Sequence, residues 1–509
     1  MISDVLVCGS GSAGLMVALA LKKKAPQLRV RIVRDPGIGV IGVGEGTTMN
    51  FPNFIFDYLG IRKKDFYRMA EPSWKLGIRF KWGPRGKFDF TFTPQLDARR
   101  VELPRPNGFY CHDEFSAVDL PSALMDAGKV FPVQANGCPN IQQWHGFHIE
   151  NDKLVETLER FAIGWGCEII DGCVTGTERN DQGVKAVCLE DGRKLEADLF
   201  VDCSGFRSEL LGKTLAEPFE SFGNTLFCDR AVVGGWERSD EPILPYTTAE
   251  QMSSGWCWRI EHEHHINRGY VYCADLISDD EAEAEFRRLN PKLREQSRIV
   301  KFRSGCYRRG WVDNVVAIGN AFGFVEPLEA TALSNVVTQI QLLVEVLLQC
   351  EMVPTPLVRS LYNDASYQNW HEIRDFLGLH YKLNTSLDTP FWKRCREETD
   401  LSGLQAFLEF YEENGPTGLG RYHLGANSGN FSKEVAFGLE GHLVMMVGQK
   451  APYRHHRQAP PEQWVIWERG CQQNRSVAQT AMTIEQAFQY VRHPGWEWFG
   501  DQDKIAFEG

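Results

Sequence analysis

A glycine-rich turn near the N-terminus constrains the fold of this chain more than any other feature. The segment Gly9-Ser10-Gly11-Ser12-Ala13-Gly14 has the spacing GxGxxG and follows the apolar run Val5-Leu6-Val7. The pattern beyond it predicts a helix over 15–24 and a second strand over 28–33. A strand, this turn, a helix and a second strand in that order are typical of a βαβ unit that binds a dinucleotide.

Each glycine of the turn has its own role in such a unit. Gly9 allows the tight turn, Gly11 lets the backbone approach a pyrophosphate, and Gly14 lets the helix lie close to the sheet. The backbone N–H groups at the start of the helix, around Ser12 and Ala13, then face the phosphates. The turn therefore predicts a pyrophosphate site at the N-terminus of this helix.

The position that usually holds the ribose carries an unexpected residue. An acid is expected at the end of the second strand, but Arg34 stands there and Asp35 follows it. Arg34 could favour a phosphorylated ribose, as in NADP, or Asp35 could serve in a shifted turn. Both residues are therefore candidates for the ribose contact.

Two later segments favour FAD over NAD as the dinucleotide. Residues 200–205 and 316–321 each resemble an apolar strand followed by a glycine. In folds that bind FAD alone, the cofactor returns to late strands of this kind. Gly319-Asn320 stands where flavoproteins usually have Gly-Asp, and asparagine can still hydrogen-bond a ribityl hydroxyl.

Composition and charge exclude several other classes of protein. The net charge of −12 gives no indication of a nucleic-acid partner. No uncharged apolar run reaches roughly 18 residues, so no membrane span is predicted. The 14 cysteines include no CxxC pair, which is typical of buried thiols in a reducing, cytoplasmic compartment.

The histidines at 262–265 and 455–456 lack further ligand spacing, so we predict solvated polar turns and no metal site.

The remaining pattern predicts an α/β protein with a β-rich insertion and a helical C-terminal part. From Ser73 to Trp82 apolar and polar residues alternate, which predicts a half-buried strand. Further strands are predicted over 167–170, 184–189, 199–203 and 315–319, and helices over 151–164, from about 328, over 336–348 and over 404–414. We assign residues 1–390 to an FAD-binding core of the monooxygenase type, a glutathione-reductase-like Rossmann fold with an interleaved β-rich substrate region. Residues 391–509 are expected to form a mainly helical region that covers the substrate site.

Five further segments carry a resemblance to one enzyme family. They are Ile41-Gly42-Val43-Gly44-Glu45-Gly46-Thr47, residues 74–80, residues 255–260, residues 324–331, and His380-Tyr381 with residues 388–392. Together with the glycine-rich turn, and in this order, they resemble the flavin-dependent halogenases of the tryptophan-halogenase family. The resemblance spans residues 5–392 and implies a FAD-dependent oxidoreductase that halogenates an aromatic compound.

The resemblance implies a reaction in two chambers. Reduced FAD and oxygen convert a halide, chloride or bromide, to hypohalous acid. A tunnel leads this oxidant to Lys75, which holds it beside an electron-rich ring such as an indole, pyrrole or phenol. Glu329 lies near the lysine and orients it or takes up the ring proton. A separate NAD(P)H-dependent flavin reductase supplies the reduced FAD, and a homodimer is compatible with the sequence.

The same resemblance implies roles for the other site residues. The segment Ile41-Gly42-Val43-Gly44-Glu45, called the strap below, holds the flavin. Thr331 and Ala332 bind the halide through a hydroxyl or backbone N–H at a helix start. The flavin wall and the tunnel are formed by Trp256, Trp258 and Pro327.

Departures from the family pattern leave alternative functions open. Ala330 and Ala332 stand where serine and glycine are common in the tryptophan enzymes, and Glu261 replaces a proline. An FAD-dependent aromatic monooxygenase and a non-catalytic flavin-binding relative are therefore the alternatives.

The pattern alone also offers plainer explanations for the two catalytic candidates. Lys75 could be a solvated strand lysine like Lys81, with its stem along the sheet. Glu329, together with Glu326, could be favoured simply by the dipole at a helix start.

Overall fold

The βαβ unit predicted from the glycine-rich turn lies at the centre of the fold. The computed structural model describes residues 1–39, 44–96, 102–103, 116–294, 297–424, 437–456, 458–501 and 504. Strand β1 (Asp4–Cys8), helix α1 (Ser12–Lys24) and strand β2 (Arg29–Arg34) follow one another, and the two strands are parallel. The helix begins earlier than predicted, because Gly11 serves as its N-cap.

The other strands and helices follow in chain order. The strands are β3 (Glu45–Gly46), β4 (Ser73–Lys75), β5 (Gly77–Lys81), β6 (Phe88–Thr91), β7 (Gly146–Ile149), β8 (Glu168–Asp171), β9 (Val174–Asn180), β10 (Gly183–Leu189), β11 (Lys194–Glu196), β12 (Leu199–Asp202), β13 (Phe219–Ser221), β14 (Arg230–Glu237), β15 (Thr247–Met252), β16 (Gly255–Glu261), β17 (His265–Tyr272), β18 (Arg298–Lys301), β19 (Gly305–Tyr307), β20 (Trp311–Val312), β21 (Val315–Ala317) and β22 (Gly323–Phe324). The helices are α2 (Asn50–Asn53), α3 (Lys63–Ala70), α4 (Leu120–Ala127), α5 (Asn151–Gly164), α6 (Asp279–Leu289), α7 (Thr331–Gln349), α8 (Pro356–Lys382), α9 (Pro390–Glu398), α10 (Gln405–Asn414), α11 (Gly438–Gly448), α12 (Pro461–Thr480) and α13 (Ile484–Val491). Short π-helical or 3-10 segments cover Phe54–Tyr58, Gly205–Arg207, Glu209–Thr214, Gly319–Ala321, Ser402–Leu404 and Gly418–His423.

A six-stranded sheet with the order β20-β21-β12-β1-β2-β8 carries the dinucleotide unit. Its strands are parallel except for β20 at one edge. The two late strand–glycine segments form β12, which lies beside β1, and β21, which lies on the far side of β12. Along β1, Val5 and Val7 face a helical layer that includes α1 and α7, while Leu6 and Cys8 face the small sheet β11-β10-β9. The predicted α/β arrangement is confirmed.

A seven-stranded sheet with the order β18-β14-β17-β16-β15-β5-β6 forms the β-rich region. Neighbouring strands are antiparallel except for β15 and β5. On one face, Trp256 and Trp258 share a buried cluster with Phe376 of α8 and Val444 of α11. On the other face, Cys257 packs in a cluster that includes helix α6. The remaining strands form two three-stranded sheets with the orders β13-β19-β22 and β3-β7-β4.

The segment 73–82 differs from its prediction in two ways. It forms two strands, because β4 pairs with β7 in a small sheet while β5 pairs with β15 and β6 in the large one. The half-buried prediction was wrong, because Lys75 and Arg79 are both enclosed and only Lys81 is exposed. Arg79 is compensated by Asp89, which accepts two of its hydrogen bonds.

Helices dominate the chain after residue 330, as predicted. The helix expected from about residue 328 begins at Thr331, because Ala330 has a left-handed conformation with φ 54°. Helix α7 is the one described helix that is long and apolar enough to cross a membrane. Within the fold, 56% of its most apolar 18-residue stretch is buried, and the helix packs against α1 and α8.

We expect Gly14→Ala to destabilise the fold itself, because a Cβ at this position would lie 1.9 Å from the Gly9 carbonyl oxygen. Overpacking costs about 1–3 kcal/mol of unfolding free energy, which urea titration of the cofactor-free protein measures. Gly11→Ala is the matched control, because a Cβ on Gly11 would have no atom within 4 Å. Alanine is a poorer N-cap than glycine, so this control should lose only about 0.5 kcal/mol of unfolding free energy. Equal losses in the two variants would contradict the close approach.

Candidate active site

The glycine-rich turn forms an open cradle at the carboxyl end of the parallel sheet. Gly9 has φ +119°, and a Cβ there would lie 2.3 Å from the Cys203 carbonyl oxygen, so the position requires glycine. Gly11 is exposed, with open space where a Cβ would point. It brings no side chain to cap the first N–H groups of α1, around Ser12 and Ala13. These residues fit the pyrophosphate of a dinucleotide.

The end of β21 meets this cradle. Gly319 follows the strand with φ +66°, and a Cβ on it would lie 3.3 Å from Ala13 Cβ. Its N–H donates to Gln339 Oε1 of α7 at 2.9 Å. The structure thus places Gly319 next to Ala13 of the glycine-rich turn, and the half-buried Asn320 follows it in the chain.

The two ribose candidates have different surroundings. Arg34 donates to Asp171 at 2.6 Å and also pairs with Glu159 of α5. Asp35 Oδ1 accepts a hydrogen bond from the Gly37 N–H at 2.9 Å, within its own turn. The guanidinium of Arg34 is therefore occupied by two carboxylates.

The described residues of the strap, Gly44 and Glu45, precede Gly46, which lies beside Lys75. The strap segment Ile41-Gly42-Val43 lies outside the described residues. Glu45 Oε1 accepts from Asn151 Nδ2 at 3.0 Å, and burial raises the pKa of Glu45 to about 7. The adjacent Gly46 would place a Cβ 3.4 Å from Lys75 Nζ.

His262 differs from the solvated turn that was predicted for it. It is buried, and its Nε2 contacts Asn267 Nδ2 at 3.1 Å. A Cβ on Gly44, which has φ +73°, would lie 2.4 Å from that Nε2, so His262 lies against the strap. Burial lowers the pKa of His262 to about 3. No group of three metal-ligating side chains occurs in the described part of the chain.

Lys75 is fully enclosed and lies at the end of β4. Its Nζ has no hydrogen-bond partner among the described residues. The ring of Phe92 lies 5.6 Å away. Burial lowers the pKa of Lys75 to about 7, against the opposing charge of Glu329.

Glu261, one of the departures from the family pattern, holds the strand that carries Lys75. Its carbonyl oxygen accepts a hydrogen bond from Ser73 Oγ at 2.6 Å. Its buried carboxylate accepts from Arg238 and Arg259, each at 2.5 Å. The glutamate that replaces the family's proline therefore has two arginine partners for its carboxylate, and its backbone still bonds Ser73 of β4.

Glu329 forms a buried contact with a histidine of α8. Its Oε1 lies 2.7 Å from His380 Nε2, while His380 Nδ1 lies 2.8 Å from the Phe376 carbonyl oxygen. Burial raises the pKa of Glu329, and His380 and then Lys75 oppose that shift. Glu329 precedes the left-handed residue before α7 and is enclosed, so a helix-dipole effect alone does not explain its place.

Glu326 is the second buried carboxyl of this turn. Its Oε2 accepts from Trp256 Nε1 at 2.9 Å and from Tyr381 Oη at 2.5 Å. Burial raises the pKa of Glu326 to about 7. The Cys228 thiol lies behind Tyr381, 3.9 Å from its hydroxyl.

The predicted wall residues differ in exposure. Trp256 and Trp258 are buried with their ring centroids 6.0 Å apart. The indole N–H of Trp258 has no partner in the described part of the chain. Pro327 is exposed at the turn that leads to Glu329.

The predicted halide residues begin α7. Thr331 is buried, and among the described residues no group bonds its hydroxyl. Ala330 supplies no side-chain cap, so the first N–H groups of the helix, near Ala332, have no side-chain partner at the cap. An uncapped helix start beside a buried hydroxyl fits a small anion.

The sequence predicts no individual role for His380 and Tyr381, although both lie in a segment that carries the family resemblance. Glu326 and Glu329 are three residues apart and pair with two consecutive residues of one helix, Tyr381 and His380. Pairing across such a sequence distance shows only in the fold.

Comparisons with known proteins identify the family of this chain. Residues 4–461 match the family model described as tryptophan halogenase. The tryptophan 7-halogenase KtzQ of Kutzneria is 32% identical over 477 residues, covering 85% of this chain and 86% of that protein.

Solved structures are similar over almost the full length. The crystal structure of MibH, a lanthipeptide tryptophan 5-halogenase, has a TM-score of 0.87 at 34% identity and covers 98% of this chain and 96% of its own. BrvH, a flavin-dependent halogenase from Brevundimonas, has a TM-score of 0.83 at 27% identity, covering 96% and 99%. The protein therefore belongs to the tryptophan halogenase family, whose enzymes depend on flavin.

Proposed function

We propose that this enzyme uses FADH2 and oxygen to halogenate an electron-rich aromatic ring, with hypohalous acid delivered by Lys75. The observation that carries the proposal is a lysine with no exposed surface and no described hydrogen-bond partner, placed within electrostatic reach of Glu329. Burying an ammonium without a partner is unfavourable, so such a lysine is a candidate for chemistry. Lys81, one strand further on, shows the ordinary alternative, because it is exposed.

The cofactor proposed for the first chamber is FAD. The pyrophosphate would lie against Gly9, Gly11, Ser12, Ala13 and Gly14, and Gly319 and Asn320 would contact the flavin end. The strap, including Gly44 and Glu45, would close over the cofactor.

Asp35 is the better candidate for the ribose, because Arg34 is engaged by two carboxylates. When bound in its reduced form, FAD with oxygen supplies the oxidising power that converts a halide to hypohalous acid. Thr331 and Ala332 would hold the chloride or bromide.

The two tryptophans of β16 favour halogenation over direct hydroxylation. A monooxygenase must admit its substrate to the flavin. Here Trp256 and Trp258 fill the proposed space between the chambers, and the hydrogen bond to Glu326 fixes Trp256. With Pro327 they would leave room for a small oxidant and exclude an aromatic ring.

The proposed substrate is a small aromatic compound such as an indole, a pyrrole or a phenol. Two similar proteins are named as tryptophan halogenases, one of them for tryptophan in a lanthipeptide, which favours an indole. We further propose a separate NAD(P)H-dependent flavin reductase as partner, a cytoplasmic location, and a cover over the substrate formed by residues 391–509. A homodimer is also compatible with this function.

A halide-and-aromatic panel tests the function. The enzyme, a flavin reductase, NADH and FAD are combined with chloride or bromide and a set of indoles, pyrroles and phenols, and products are read by mass spectrometry. A halogenated product supports the proposal. Hydroxylation that persists without halide favours the monooxygenase, and tight FAD binding with no turnover selects the non-catalytic relative.

We expect Lys75→Ala to abolish halogenation while FAD affinity and the formation of hydrogen peroxide from reduced FAD stay unchanged. The reason is that the second chamber loses its amine and the first is untouched. Lys81→Ala is the matched control, because it removes an exposed lysine from the neighbouring strand. Product formation by Lys75→Ala would remove this lysine from the mechanism.

Glu329→Gln should slow product formation by roughly 10²–10⁴-fold, the usual scale for acid–base assistance. The amide cannot accept the ring proton, whereas the size of the side chain is retained. Single-turnover assays with preformed FADH2 isolate this step. Glu345→Gln, on the exposed side of α7, should react at the wild-type rate, and an equal rate in Glu329→Gln would contradict the role.

The burial of Lys75 also predicts how stability depends on pH. Its pKa is about 7 in the fold instead of 10.5, so between these values the unfolded chain binds more protons. The unfolding free energy contributed by this group therefore rises as the pH rises through that window. Lys75→Met, which cannot titrate, should be more stable than wild type below pH 7, and the gain should shrink toward pH 10.5. Urea titrations across this range measure the difference, and a gain independent of pH would contradict the lowered pKa.

A further inference from the structure

Glu329 and His380 form a buried pair, and the proposed reaction gives a role to Glu329 alone. Glu329 Oε1 lies 2.7 Å from His380 Nε2, and the side chains are 2% and 0% exposed. The rings of Phe80 and Phe376 cover His380, so water does not complete its hydrogen bonds. The pair therefore has to be satisfied internally.

The hydrogen bonds of His380 fix the positions of its protons. The Phe376 carbonyl oxygen can only accept, so the Nδ1 atom 2.8 Å away carries a proton. With its proton on Nδ1, a neutral imidazole has only a lone pair on Nε2. Two acceptors, this Nε2 and Glu329 Oε1, lie 2.7 Å apart, which requires a proton between them. One proton is thus shared between His380 Nε2 and Glu329 Oε1.

This arrangement keeps the carboxylate away from the lysine. Lys75 and Glu329 are close enough for each to shift the pKa of the other. Even so, Lys75 Nζ makes no hydrogen bond within the described ranges. The imidazole occupies one carboxylate oxygen, and the ammonium stays free.

We propose that His380 is a positioning residue for the substitution step, a role that rests on the proposed function. Its Nε2 holds Glu329 through Oε1, which leaves Oε2 to accept the ring proton and leaves Lys75 to hold the oxidant. Without the imidazole, Glu329 would either pair with Lys75 or take up a proton before the ring arrives.

The step conserves atoms and electrons. The O–X bond of hypohalous acid breaks, a C–X bond forms on the ring, and the departing hydroxide takes a proton from the Lys75 ammonium to become water. The ring C–H bond then breaks, its electron pair restores the aromatic system, and its proton goes to Glu329. Return of this proton to the lysine amine resets the site, and the sum is ArH + HOX → ArX + H2O.

His442 of α11 provides a matched control for His380. It is also buried, its Nδ1 lies 2.6 Å from a carbonyl oxygen one turn earlier, that of Gly438, and its ring packs on Phe376. In the described part of the chain no carboxylate bonds its Nε2. His442→Gln therefore repeats the packing change of His380→Gln without touching Glu329.

Ring-deuterated L-tryptophan and ring-deuterated indole are the probes for the substitution step. In wild type we expect no isotope effect on single-turnover product formation, because proton removal is fast. His380→Gln should slow product formation about 100-fold, the scale for a misplaced group, and should show a primary isotope effect. His442→Gln should show neither change.

The outcomes separate this role from the proposed function. A slow His380→Gln enzyme without an isotope effect would overturn the role, because it would show that the histidine only maintains the fold. Wild type that halogenates neither ring would count against the proposed function instead.

A measurement without turnover tests the shared proton in either case. NMR of ¹⁵N-histidine-labelled protein should show a strongly deshielded, slowly exchanging proton on His380. That signal should be lost in Glu329→Gln and kept in His442→Gln. Its absence from wild type would overturn the proposal.

Discussion

The exclusion of water from around the Lys75 ammonium is the constraint on which the site depends. In water this lysine would be an ordinary charged side chain, but in the interior its pKa falls to about 7. Both forms of the amine are then accessible near neutral pH. Strand β4, its partner β7 and Gly46 of β3 contribute to the enclosure, so fold and chemistry share the same contacts.

Two carboxyl groups of one turn, those of Glu326 and Glu329, bond different parts of the site. Glu326 is fixed by Trp256 and Tyr381, while Glu329 is fixed by His380. Because the turn ends at the left-handed Ala330, both carboxyls precede α7 and neither belongs to its first turn. A single short segment therefore links the proposed wall between the chambers to the proposed proton acceptor.

Local spacing made much of the fold predictable. Backbone contacts require Gly9 and Gly14, and open space surrounds Gly11, so the spacing of the three glycines indicates the structure. The late strands were also predictable, because each is a short apolar run that ends at a glycine. Lys75 and Glu329 were found through the resemblance, since the pattern alone favoured a solvated lysine.

Contacts between distant segments could not be predicted. The strand over 73–82 divides because β4 and β5 pair with strands from different parts of the chain. His262 lies against Gly44, and His380 pairs with Glu329, 51 residues earlier in the chain. Neither partnership leaves a periodic trace in the sequence. The division at residue 390 and the roles of the site residues stay predictions.

The buried thiols bear on how long such a catalyst can work. Cys228 forms no disulfide and lies directly behind Tyr381, whose hydroxyl bonds Glu326. Burial raises the pKa of this thiol, so it stays protonated and is a poor nucleophile toward oxidants. The proposed reaction carries hypohalous acid through the interior and would expose the protein to its own intermediate at each cycle. The low-dielectric core that lowers the pKa of the lysine also suppresses thiolate formation at Cys228, so in the proposed reaction the same burial would serve both the amine and the survival of the protein.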